Sequence, residues 1–215
     1  MRLGAAAAAS IALATLLGGL TLRSPQQAGT GPGVMFDTSE SIPYFIQDGA
    51  GVPGYLPSDR ELAVWALAAW SRESLGKLKF SEAVNEKSAL IRLKWISPNE
   101  GLFGETQHVV VGNKLGALVY VMPQVAQLGT VAERAQTDSL MRDTIVYLTC
   151  VHELGHAVGL PHTRNFEDIM YSFAFGGDIV AYFMRYRGRL KTRNDITGFS
   201  GLSAGDETAL RSLYQ

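Results

Sequence analysis

Residues 151–162 read Val-His-Glu-Leu-Gly-His-Ala-Val-Gly-Leu-Pro-His and hold three of the four histidines in the chain. Coiled as a helix at about 100° per residue, they place His152 and His156 about 40° apart on one face, a turn from each other. Two imidazoles so placed can share one metal ion. Glu153 sits beside them, offset toward the same side. Gly159 can take a positive φ and end the helix, so the chain can turn and bring His162 under the same ion. Three neutral nitrogen ligands leave the fourth position of a tetrahedral zinc open to water, which is the geometry of a catalytic site and not of a closed structural one. The bare pattern His-Glu-x-x-His also arises by chance on polar helix faces. Its continuation through Gly159 and His162 to Asp168-Ile169-Met170-Tyr171 argues against chance here.

The extended pattern resembles that of the metzincin metalloproteases. The run Glu153-Leu154-Gly155-His156-Ala157-Val158-Gly159-Leu160, with Met170-Tyr171 downstream of His162, is most similar to the matrixin branch in its bacterial type. The resemblance implies a zinc metalloendopeptidase. It assigns His152, His156 and His162 as ligands of one catalytic Zn2+ and Glu153 as general base and acid. Met170 would form an apolar floor under the imidazoles, and Met170 to Phe175 the wall of the pocket for the residue after the scissile bond. That wall begins Met-Tyr-Ser where the family has Met-Tyr-Pro, so its preference does not carry over. The fold implied is α+β: a mixed five-stranded twisted sheet with a backing helix, an active-site helix and a short C-terminal helix. Its fourth strand, the lone antiparallel edge, binds substrate in the family, and Leu102 to Gln107 is the match by order.

Two family features find no counterpart in the residues. Animal matrixins hold a structural zinc with three histidines and an aspartate, but only His108 lies outside the motif here. Their zymogens use a propeptide cysteine on zinc. The single cysteine of this chain is Cys150, about 160° round the helix from His152, where it faces the core. Acidic calcium loops are not recognisable either. Asp37 or Glu40 offers a carboxylate that could block the zinc instead.

At 215 residues, with 47% hydrophobic and 18% charged residues, the chain is long enough for one folded domain with appendages. Lys+Arg 19 against Asp+Glu 20 gives a net charge of −1, too balanced to attract nucleic acid by its overall field. Arg2 followed by the uncharged Ala/Leu-rich stretch Gly4 to Leu22 reads as a secretory signal peptide, with a retained membrane anchor as the alternative. The expected layout is residues 1–28 signal peptide or anchor, 29–40 flexible linker or short pro-segment, and 41–215 catalytic domain. The expected location is secreted or extracytoplasmic. A monomer acting on a protein or peptide is expected, without nucleic acid, and with membrane association only through the N-terminal segment.

Along the chain, Ser41 to Gln47 reads as the first strand. Ser58-x-x-Glu61 has the form of a capping box opening a helix that runs to about Ser74 and stops at Gly76. Lys77 to Phe80, Ala89 to Ile96, Leu102 to Val111 and Ala117 to Met122 read as strands, the last two joined by a turn at Asn113 and Gly116. Gln124 to Thr137 reads as a polar connection, and a long helix is expected from about Asp138 through Val158. Residues 176–199 carry an aromatic and basic run, Tyr182 to Lys191, read as a surface loop flanking the cleft. Ser203 should cap a last helix that packs through Leu210 and Leu213. Asp168 is either an orienting partner for a ligand histidine or a turn aspartate, and His108 reads as an ordinary strand histidine. Two other activities share these residues: a catalytically silent zinc-binding module, or a narrow-specificity processing peptidase or amidohydrolase. The carboxylate at 153 disfavours the silent module.

Overall fold

A computed structural model describes residues 35–98, 103–127 and 129–215. The N-terminal segment 1–28, residues 29–34 and Leu102 lie outside the described residues. The elements run β1 (Ile42–Ile46), α1 (Asp59–Glu73), β2 (Phe80–Glu82), β3 (Ile91–Trp95), β4 (Gly104–Val111), β5 (Lys114–Val121), α2 (Thr130–Thr137), α3 (Ser139–Ala157), α4 (Ile179–Arg187) and α5 (Ala204–Leu213). The sheet order is β2-β1-β3-β5-β4. The first four strands pair in parallel, and β4 joins β5 antiparallel at the edge, with Gly104 opposite Val121 and Val111 opposite Lys114. This is the mixed five-stranded α+β architecture expected, with the antiparallel edge in the expected place.

Period-two alternation explains the sheet's two sides. Ile42, Tyr44 and Ile46 of β1 and Ile91, Leu93 and Trp95 of β3 are buried, and the residues between them are only half-buried. The buried face joins one core with Leu62, Leu67 and Trp70 of α1 and Val146, Val151 and Leu154 of α3. Each such side chain contributes about 1.5–3 kcal/mol on burial. Trp70 is fully buried and donates its Nε1–H to the carbonyl of Val151 at 3.0 Å, which ties the backing helix to the turn of α3 that carries the histidine motif.

Several local readings are corrected. Ser58 makes no side-chain cap. The buried carboxylate of Asp59 instead accepts the Leu56 N–H at 2.9 Å and pairs bidentately with Arg142 of α3. Lys77 to Lys79 do not extend the second strand, because Ser71 of α1 and Ser74 at its C-cap bind both main-chain groups of Leu78 and hold it under the helix; pairing begins where the Ile42 N–H reaches the Lys79 carbonyl. The β4–β5 turn is Gly112-Asn113, and Gly116 lies within β5 opposite Val109. The supposed polar connection contains α2, which buries Val131, Ala132 and Ala135. Phe36, within the expected linker, is buried, and its N–H reaches the Tyr214 hydroxyl at 3.3 Å.

The largest correction concerns residues 176–199. They form α4, capped by Asp178, whose carboxylate accepts the N–H groups of Val180 and Ala181. Tyr182, Phe183 and Tyr186 are buried on one face at helical spacing. Three of the four arginines of this segment are hydrogen-bonded internally: Arg185 on the carbonyls of Phe166 and Glu167, Arg187 on Asp138, and Arg193 on Asp143 and Glu61. Among the described residues, no helix is long and apolar enough to cross a membrane.

Candidate active site

The site is built where α3 ends. Val158 closes the helix and Gly159 follows at φ 99°, a conformation that suits glycine. The Gly159 N–H donates to the His156 carbonyl and the Leu160 N–H to that of Gly155, both at 2.9 Å. These two bonds are the Schellman ending. They reverse the chain so sharply that His162 returns to face the helix it has just left.

Backbone carbonyls then orient the rings. His152 donates its Nδ1–H to Ile169 at 2.6 Å, and His156 donates its own to Leu160 at 2.8 Å. Both therefore present a bare Nε2. The Nε2 of His162 lies 3.2 Å from that of His152 and 3.1 Å from that of His156. Burial pushes the His152 pKa down to about 4 and that of His156 to about 3, and also lowers that of His162. Three neutral imidazoles thus converge at neutral pH, two of them with a bare Nε2, and a cation between them would accept a lone pair from each. Ligands on a tetrahedral zinc at about 2.0–2.1 Å stand about 3.3 Å apart, close to these separations. The donor set fits zinc, and the three side chains are within 4.8 Å of one another through their ligand atoms.

The His162 segment is joined to the turn at 168–171. Met170 is buried. Thr163 donates its N–H to the Met170 carbonyl at 2.9 Å and pairs with Tyr171 as a short parallel bridge, so the His162 segment and the turn are one piece. Asp168 does not touch a histidine. Its Oδ1 accepts the Ser203 hydroxyl at 2.6 Å and the Asn165 amide at 2.8 Å. Asp206, the third helical residue of α5, accepts the N–H groups of Ile169 and Ser203. Tyr182 of α4 directs its hydroxyl at the carbonyls of Asp168 and Ile169, 3.2 Å from each. The Ile169 carbonyl is the one that orients His152. Asp206 and Tyr182 escaped the sequence reading, although the spacing Ser203-x-x-Asp206 is itself a capping-box pattern.

Glu153 is buried beside the cluster, at 6% exposure. Burial raises its pKa to about 8, the Thr106 hydroxyl bonded to it acts the other way, and Glu105 adds to the rise. A divalent cation at the histidines acts against that rise. His108 is exposed on β4, with Nε2 at 3.3 Å from the Ala157 carbonyl, an ordinary strand histidine as read. Cys150 is buried in the core, where burial holds its thiol well above its ordinary pKa. Asp37 caps the Ser39 N–H and Glu40 pairs with Lys114, so both carboxylates are engaged elsewhere than at the histidines.

A mixed sheet with one antiparallel edge, a helix carrying two histidines under that edge, and a third histidine on the return define a metzincin-type metallopeptidase domain. The matrixin family model matches residues 56–178, more than half of the chain, and the chain belongs to the matrixin family of zinc metalloproteases. The match runs from the start of α1 to the cap of α4 and leaves β1, α4 and α5 outside it. A search of the curated proteins finds no match.

Proposed function

We propose that the protein is a zinc-dependent endopeptidase in which His152, His156 and His162 hold one zinc ion and Glu153 is general base and acid. The observation that supports this reading is the convergence of three imidazole nitrogens at the end of a helix that also carries a buried carboxylate at Glu153. A zinc ion held by these three histidines would supply Lewis acidity, lowering the pKa of a bound water to about 7 and polarising a carbonyl. The chain's own residues do the rest. Glu153 takes one proton from the attacking water as the water oxygen bonds to the peptide carbon. It then gives that proton to the amide nitrogen as the C–N bond breaks. The outer edge of β4, which among the described residues pairs only with β5, offers main-chain groups to a peptide laid alongside as an added strand. The uncharged stretch Gly4 to Leu22 supports an extracytoplasmic site of action, on protein or peptide substrates met there.

The test uses the purified full chain on casein and a peptide library, with and without a chelator, with zinc measured on the same sample. The expected outcome is internal cleavage with one zinc per chain, lost on chelation and restored by zinc. Bound zinc without cleavage of any peptide would point instead to a silent binding module. Cleavage indifferent to chelator would end the zinc reading.

A further inference from the structure

The edge strand does more than border the cleft. Gly104, Thr106 and His108 lie two apart along β4 and share the face turned to α3. Two of them bond the helix one turn apart: Thr106 at Glu153 and His108 at Ala157. The Thr106 hydroxyl stands 2.9 Å from Oε2 of Glu153 and 2.8 Å from the main-chain carbonyl of the same residue. On the other side of the carboxyl, the bare backbone of Gly104 comes so close that a Cβ there would lie 2.4 Å from Oε1 and 2.6 Å from Cγ of Glu153. A hydroxyl on one oxygen and a side-chain-free backbone against the other fix the carboxyl in two places.

We propose that Thr106 is a positioning residue for the general base: its hydroxyl holds Oε2 of Glu153, leaving Oε1 to exchange protons, and Gly104 keeps the room that this pose requires. The inference rests on the reading of Glu153 given above and deepens it. It makes the strand that receives the substrate the same element that aims the base. A peptide added to the edge is thereby registered, through the backbone of β4, against the carboxyl that must reach its nitrogen. A misplaced catalytic group costs rate even when binding is intact.

Thr106→Val, Thr106→Ser and Gly104→Ala are compared with the parent and with Glu153→Ala in full-length, zinc-loaded protein on casein-derived peptides. Thr106→Val should lower kcat about tenfold or more with KM within about twofold, as expected for a lost bond to a charged group. Thr106→Ser restores the hydroxyl and should recover most of the rate. Gly104→Ala should lower kcat with the hydroxyl still present. A normal kcat in Thr106→Val, or a serine variant as slow as the valine one, would overturn the positioning role. An inactive Glu153→Ala beside a normal Thr106→Val leaves the base in place and removes only this inference; an active Glu153→Ala removes the base itself. Urea unfolding of the metal-free protein gives a readout without turnover. The Thr106→Val and Glu153→Gln effects should be non-additive there, and simple additivity contradicts the proposal whether or not any peptide is cleaved.

Discussion

His152 and His156 each spend one ring nitrogen on a backbone carbonyl, and that choice decides what the other nitrogen can do. The Ile169 carbonyl is the more elaborate case, since the Tyr182 hydroxyl also reaches it. Tyr182→Phe removes that hydroxyl and leaves the ring among Phe166, Phe173 and Phe183. We expect the variant to fold and to release zinc to a competing chelator about tenfold faster, the low end of the roughly 10–100-fold by which groups behind a ligand typically change metal affinity. An unchanged release rate would mean that the Ile169 carbonyl needs no second donor. The three histidines and Glu153 could be read from the chain because their geometry is set within twelve consecutive residues by helical spacing and one glycine turn. Thr106, Tyr182 and Asp206 could not, because each acts on a residue far along the chain through a contact that only the tertiary fold creates.

Elements with strong local patterns were recovered, and those with weak ones were not. The helix α3 belongs to the first group, and the structure adds its cap. Asp138 accepts the Met141 N–H at 3.1 Å and the Arg187 Nε–H at 2.8 Å. Burial pushes its pKa up, but the Arg187 and Met141 donors outweigh it and hold the carboxyl below its ordinary value. A carboxyl with a lowered folded pKa stabilises above the unfolded value of about 4, and that contribution is lost as the pH falls through the folded value. Asp138→Ala should therefore cost about 1 kcal/mol at pH 7, as lost helix caps do. Its urea midpoint should approach that of the parent at pH 3. A gap of equal size at both pH values would show that the charge plays no part. By contrast, α2 is only eight residues long and exposes Glu133 and Arg134, so its apolar side was too short to stand out. The aromatic and basic composition of α4 hid a regular helix with an aspartate cap at one end and Gly188 at the other. There, Tyr182 and Tyr186 mark the buried face at i and i+4, a signal that was present in the sequence.

The fold as a whole braces the end of α3, where the histidines gather, with contacts from residues far along the chain. Tyr214, the penultimate residue, is buried and donates its hydroxyl to the Val158 carbonyl at the end of α3, and its oxygen also receives the Phe36 N–H. Asp206 pins the methionine turn from the last helix. Arg142 joins α3 to Asp59 of α1 and to the Gly54 carbonyl, so the helix that bears the histidines is also braced near its N-terminal end. The α+β class followed from the order of strand and helix patterns, and the edge position of β4 from the resemblance to the matrixins. The braces did not, since they pair residues that no spacing rule connects. What all of them hold is one carboxylate against three imidazoles, and its chemistry is tested by Glu153→Ala in the full chain, assayed for zinc content and peptide cleavage together. The expected result is one zinc per chain as in the parent, with cleavage slower by a factor on the order of 10²–10⁴, the usual worth of a general base. Cleavage at the parental rate by a zinc-loaded Glu153→Ala protein would contradict the account.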